Sequence, residues 1–214
     1  MSKILTLISE EIAKALLQIN AIKLSPQNPF IWASGIKSPI YCDNRLVLSY
    51  PKIRNLIIRG FVQLSNSLDD FNKIAGVATA GIAHGALLAH ALELPFVYVR
   101  SKAKEHGRQN LIEGYADTKD RYLVIEDLFS TGGSAKLAVN ALNNGPGKVV
   151  AVASIFSYGF DKIGVLENEM NLPFISLTNY DILIREALKL SYISAEHFET
   201  LQAWRVHPEK WGAS

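Results

Sequence analysis

Glu126 and Asp127 stand side by side where a short apolar run, Tyr122-Leu123-Val124-Ile125, meets Leu128-Phe129-Ser130-Thr131-Gly132-Gly133-Ser134. The run is rich in β-branched and aromatic residues and reads as a buried strand, with the two acids where it should end. Successive side chains on a strand alternate in direction, so these carboxylates go to different places. One can approach a ligand while the other faces the flanking layer or helps hold a hydrated Mg²⁺, the metal contact of Asp127 running mainly through substrate and water. Gly132 and Gly133 can take positive φ and bare their N–H groups. Ser130, Thr131 and Ser134 add hydroxyl donors, and Ala135-Lys136-Leu137-Ala138 opens a helix whose positive end faces an anion. Together these parts suit one task, gripping a phosphorylated sugar. A solvated acid pair before an ordinary glycine-turned helix start is the plainer reading, which the full ordered string disfavours. The string is neither a Walker A loop, lacking Gly-Lys-Ser/Thr, nor a dinucleotide fingerprint, lacking its glycine spacing.

Two further segments carry anion chemistry. Ala78-Thr79-Ala80-Gly81 places N–H groups at a helix start, a second nest. Arg100-Ser101-Lys102-Ala103-Lys104-Glu105-His106-Gly107-Arg108 has almost no apolar residue and is too polar for an ordinary connection. Its plain reading is a solvated basic surface. Because it follows a buried strand directly, its base lies at the sheet edge where ligands bind, and its charge suits a polyphosphate. His106 sits among cations, poised to bind or donate to an oxyanion. His84, one turn into a helix, fits a structural or a functional role.

The elements that must position these groups alternate. Ile4, Leu5, Ile8, Ile12, Leu16 and Ile19 recur at helical spacing, giving a first helix packed on the body or on a second subunit. Residues 30–48 read as short strands joined at Ser34-Gly35. Pro51 opens a helix with Ile53, Leu56, Ile57, Phe61 and Leu64 on its buried face. Ile74–Val77, Pro95–Val99, Tyr122–Ile125, Val149–Phe156 and Pro173–Leu177 read as strands. Thr178 or Asp181 starts a helix to Leu190, and Ser194 caps another through Trp204. This α/β alternation implies a parallel sheet with right-handed crossovers, in one domain: about 1–48 a helix and hood, about 70–180 the core sheet, about 181–214 C-terminal helices.

At 214 residues, 49% hydrophobic and 20% charged, the chain can bury a full core. A net charge of +2 does not suggest a protein that coats nucleic acid. Its one cysteine, Cys42, fits a reducing cytoplasm. Neither a signal peptide nor a membrane-spanning run is expected.

Val124 to Ser134 resembles the phosphoribosyl pyrophosphate signature of type I phosphoribosyltransferases. Trp32-Ala33-Ser34-Gly35-Ile36-Lys37-Ser38-Pro39-Ile40-Tyr41-Cys42-Asp43-Asn44-Arg45 resembles the N-terminal segment of the orotate phosphoribosyltransferases, and Arg100 to Gly107 resembles their catalytic loop. The three stand in the family's order and together cover nearly the whole chain. The resemblance implies a five-stranded parallel core sheet with flanking helices and a small N-terminal hood, in a homodimer. It implies Mg²⁺-dependent transfer of ribose 5-phosphate from phosphoribosyl pyrophosphate to orotate, in pyrimidine (UMP) synthesis. On it, Glu126 and Asp127 match the pair that holds the ribose hydroxyls, with Ser130, Thr131, Gly132, Gly133 and Ser134 as the 5′-phosphate loop and Leu128 and Phe129 among the substrate-binding residues before it. Arg100, Lys104 and His106 match the pyrophosphate loop, which closes over the neighbouring subunit's site, and Lys102 takes over part of the loop charge that Ser101 lacks. Thr79 and Ala80 belong with the diphosphate, and Ser130 also reaches orotate.

Part of the family carries lysines where Ala33, Ala80 and Ser101 stand, and an orotate-binding arginine near Phe156-Ser157. Here the orotate carboxylate falls to backbone groups near residues 34–38, to Lys37 or to Arg45. The same chemistry on another base, and a non-catalytic sensor of the sugar donor, are the competing readings. The basic loop, together with the lack of DNA-binding helices, disfavours the sensor.

Overall fold

The structure, a computed structural model, describes residues 3–32, 35, 37–101, 111–208 and 211. Chain order begins with α1 (Lys3–Gln18) and β1 (Ile22–Leu24), followed by β2 (Phe30–Ile31), β3 (Lys37–Ser38) and β4 (Ile40–Cys42). A 3-10 turn, Asn44–Ser49, leads into α2 (Pro51–Ser65). Then come β5 (Lys73–Val77), α3 (Ala80–Leu92), β6 (Phe96–Val99), β7 (Ile112–Glu113), β8 (Arg121–Phe129) and α4 (Gly133–Asn143). The chain closes with β9 (Lys148–Ser157), α5 (Asp161–Met170), β10 (Phe174–Asn179), α6 (Tyr180–Lys189) and α7 (Ala195–Val206).

Six strands form the central sheet in the order β10-β9-β8-β5-β6-β7. Five are parallel, as the resemblance implies; β7 is an antiparallel edge strand at the foot of the basic loop, pairing Tyr98 with Glu113 and Val99 with Ile112. Period-2 alternation divides the core. Leu123 and Ile125 join Ile12, Leu16, Ile57, Phe61 and Leu183 on one face, while Tyr122 and Val124 join Ala138, Val139, Leu142 and Leu166 on the other. Both faces are covered, which is why the strands read as continuous apolar runs.

The apolar stripe of α1 is spent inside the subunit, against α2, α6 and β10. Asn44–Ser49, expected as strand, is a 3-10 turn whose first amide, Arg45 N–H, donates to Asp43 Oδ1 at 3.2 Å. α5 had no counterpart in the sequence reading. Ser194 caps α7, accepting from His197 N–H, whereas α6 is capped by Asn179 and not by Thr178 or Asp181. Among the described residues no helix is long and apolar enough to cross a membrane.

At the opposite edge of the sheet from the acids, Lys73 Nζ lies 2.6 Å from Asp120 Oδ2 with both side chains buried. The same lysine donates to the Tyr115 carbonyl, and Asp120 also accepts from Asp117 N–H and Tyr122 Oη–H. Burial alone would raise the Asp120 pKa; these donors hold it below the usual value.

α3 crosses β8 at Gly81, where an added Cβ would overlap the Ile125 carbonyl oxygen and press on Glu126 Cα. Gly81→Ala is therefore expected to lower stability by about 1–3 kcal/mol and to displace the Thr79 turn. A denaturant midpoint equal to that of the parent would show that the helix has room.

Candidate active site

β8 and β5 part company at the site. Their pairing ends at Gly76 with Ile125, whereas β8 keeps pairing with β9 through Glu126–Ser154, Leu128–Phe156 and Phe129–Ser157. The strand thus runs through the acidic pair and does not end before it. β5 meanwhile turns away at Ala78, whose N–H donates to Val99, and the Ala78–Thr79 peptide is cis. The crevice left between these strand ends is where ligands bind in open α/β sheets.

Glu126 is buried and Asp127 partly so. Glu126 Oε1 accepts the Asp127 N–H at 3.0 Å. Burial first, and for Glu126 then the neighbouring Asp127 charge, push both carboxyls above their ordinary range. Although alternation would send the two side chains apart, their carboxyl groups act on each other directly as hydrogen-bond partners. Among the described residues no group of three or more His, Cys, Asp or Glu stands ready to hold a metal. Adjacent carboxylates completed by phosphate oxygens and water are nevertheless a set that Mg²⁺ takes, so Glu126 and Asp127 fit that ion.

Below Glu126 lies a pocket of about 160 Å³ lined by Leu128, Ser130, Thr131, Gly132, Gly133, Ser134 and Ala135. Gly132 sits at φ 76° as the helix cap, and no side chain caps α4. The N–H groups of its first turn are left without a side-chain acceptor, as an anion needs. Gly132 cannot carry a Cβ, which would collide with Leu166 of α5.

A second cavity of about 250 Å³ is lined by Ile31, Trp32, Tyr41, Cys42, Leu128, Ser130 and Tyr158. Leu128 and Ser130 are common to both cavities. Its walls are aromatic and neutral. The Trp32 ring lies 5.1 Å from Tyr158 and 5.8 Å edge-on from Trp204, and its Nε1–H donates to the Ile40 carbonyl. Burial, then Asp127 and Asp43, push the Cys42 thiol up, so it stays protonated.

The structure gathers Glu126, Asp127, Leu128 and Ser130 to Ser134 at the end of β8, with Phe129 buried beneath them against Phe174. Thr79 and Ala80 start α3 across the crevice, again with no side-chain cap. Arg100 ends β6 and pairs with Glu113 at 3.5 Å. Lys102, Lys104 and His106 lie outside the described residues. Lys37 and Arg45 are exposed, and neither is among the described residues lining the neutral cavity. Arg45 spends Nε and Nη2 on Asp43, at 2.6 and 3.0 Å. Trp32, Tyr41, Cys42 and Tyr158 were not singled out from sequence. Tyr158 follows the strand on which an arginine was sought, which was the one available signal. A larger groove of about 920 Å³, between Tyr115 and α4, contains neither acid.

No protein-family model matches the chain. It is 49% identical over 206 residues to the orotate phosphoribosyltransferase of Listeria monocytogenes, spanning 96% of this chain and 99% of that one. It is 48% identical over 202 residues to that of Porphyromonas gingivalis, with 94% and 96% covered. Among solved structures, a Mycobacterium tuberculosis orotate phosphoribosyltransferase superposes with a TM-score of 0.69 at 28% identity, covering 82% of this chain and 98% of that one. A Leishmania donovani UMP synthase superposes with a TM-score of 0.81 at 26% identity, covering 92% of this chain and 42% of that longer one. The chain belongs to the orotate phosphoribosyltransferase family.

Proposed function

We infer that this chain transfers ribose 5-phosphate from phosphoribosyl pyrophosphate to orotate, giving orotidine 5′-monophosphate and pyrophosphate. The observation that carries this is the pair of cavities sharing Leu128 and Ser130 beside two acids. One cavity is an anion nest and the other a neutral slot walled by Trp32 and Tyr158, so a nucleotide spans them with its ribose at Glu126 and Asp127. The nest of Thr131 to Ser134 takes the 5′-phosphate, and the uncapped Thr79 and Ala80 face the diphosphate. In the reaction a ring nitrogen of orotate bonds to the anomeric carbon as the bond to pyrophosphate breaks, the nitrogen's proton passing to solvent or to the departing diphosphate. Charge develops on the sugar, as in glycosyl transfer. Glu126 and Asp127, holding the hydroxyls, lie where that positive charge is stabilised. Glu126 and Asp127 would hold Mg²⁺, which would supply positive charge toward the departing diphosphate. Arg100, Lys102, Lys104 and His106 of the 100–108 loop complete that neutralisation and exclude water, reaching across a homodimer. Arg100 is free to change partner, since its 3.5 Å pair with Glu113 is half-exposed and weak. Orotate's carboxylate meets neutral donors of the slot and backbone groups near residues 34–38, with Lys37 and Arg45 at its rim.

Three outcomes test this reading. With phosphoribosyl pyrophosphate and Mg²⁺, ultraviolet absorbance should follow the consumption of orotate; turnover of a purine instead would select a different acceptor. Glu126→Gln keeps the acceptor for the Asp127 N–H but replaces a buried acid, whose pKa burial and Asp127 push up to about 9, with a group that does not titrate. Folded-state pKa values raised above about 4 mean that the pair withdraws stability as pH rises past that point. The variant should melt higher than the parent at pH 8, with the gap closing toward pH 4, while turnover falls about 10²-fold. Melting curves that differ equally at both pH values would remove the buried acid from the account. Finally, His106→Ala should fold normally and turn over slowly. Mixed with Glu126→Gln, it should recover about a quarter of parental activity, from random heterodimers each with one intact site; no recovery would place the loop in its own subunit's site.

A further inference from the structure

Behind the acids lies a small polar cluster that the reaction as described does not use. Asn44, at the start of the 3-10 turn, is fully buried, and its Nδ2 donates to the Asp127 carbonyl at 2.7 Å. Its Oδ1 has no partner. His84, on the buried side of α3 one turn past Thr79, is also 0% exposed, and neither ring nitrogen has a hydrogen-bond partner. The polar group that acts on this ring is the Asn44 main chain.

Burial holds the His84 pKa down to about 4, so the ring is neutral wherever an enzyme of this kind would work. A neutral imidazole offers one donor and one acceptor, and here the Asn44 main chain is the one polar group drawing on the ring, weakly, beside an asparagine whose own Oδ1 is unspent. Burying polar atoms without full partners costs stability. Leucine at position 84 would fill the same space without that cost. A fold that needed only packing would gain by the exchange.

The place of the cluster explains why it is kept. Asn44 belongs to the hood, Asp127 to β8, and His84 to the helix whose first residues form the diphosphate turn. These three segments carry base, ribose and diphosphate respectively, and no strand pairing ties them together past Ile125. We propose that Asn44 and His84 are positioning residues for the transfer reaction: Asn44 fixes the Asp127 main chain to the hood, and His84 sets Asn44 against the helix that bears the diphosphate turn. Neither touches substrate. They hold the two halves of the donor site at one separation, which matters because small misplacement of reacting groups is costly in rate.

This inference rests on the transfer reaction proposed above. It is tested by His84→Leu, His84→Gln and Asn44→Ala, measured beside the parent for melting temperature, kcat, and KM of phosphoribosyl pyrophosphate. His84→Leu should melt at or above the parental temperature, because it removes a buried, poorly satisfied imidazole, while kcat falls at least about tenfold and KM changes little. His84→Gln, which restores a polar head, should recover part of kcat, and Asn44→Ala should lower kcat together with stability. A His84→Leu enzyme as fast as the parent, with melting temperature unchanged or raised, would overturn the inference alone. Should His84→Leu not fold, His84→Gln and Asn44→Ala enzymes with parental kcat would overturn it. A parent that does not consume orotate would overturn the functional reading, and this inference with it.

Discussion

Beyond Ile125 the backbone of β8 has a strand partner on one side only, and α3 closes over it at Gly81 with no room for a Cβ. The site follows from that contact. A longer β5 would fill the crevice with ladder hydrogen bonds, and a side chain at position 81 would lift the diphosphate turn off the acids. Because β8 stays paired to β9 as far as Phe129, the acids are held by a rigid element, while the anion nest follows within a few residues. The opposite sheet edge is tied down separately, by the buried Lys73–Asp120 pair. Breaking such a pair would strand a buried charge at a cost of about 3–5 kcal/mol.

Two adjacent, largely buried carboxylates are a poor choice for stability alone. Their raised pKa values reflect the conflict: water has been withdrawn and, among the described residues, no cation has replaced it. Arg45, the nearest candidate, is committed to Asp43 and eases Asp127 only at a distance. In the proposed reaction the deficit would be met by a ribose diol and a metal-bearing diphosphate. Neutral aromatic walls suit the acceptor slot for the same reason. A flat ring stacks there without a competing charge beside the acids, and Trp204 of α7 backs Trp32 from behind.

Much of this was legible in the residues. The stretch from Tyr122 to Ser134 carries its strand, acids, glycine turn and helix start in consecutive order, so local pattern is enough. Pro51 and Ser194 mark helix starts by chemistry that acts within one turn. What escaped was non-local. The strand reaches past the acids because β9 offers partners there, which periodicity in β8 cannot reveal. Leu46-Val47-Leu48 looks extended by composition, yet the Asp43 cap winds it into a 3-10 turn. The neutral cavity joins Trp32, Tyr41 and Cys42 to Tyr158, more than a hundred residues apart in sequence. Arg45 was offered to orotate by charge, but a carboxylate two residues away claims it.

The most direct measurement is a crystal structure with orotidine 5′-monophosphate bound. The account predicts the phosphate within about 3 Å of the N–H groups of residues 131–134, the ribose hydroxyls on Glu126 and Asp127, and the pyrimidine beside Trp32 and Tyr158. A phosphate seated instead at the Thr79 turn, or a pyrimidine outside the Trp32 cavity, would contradict it.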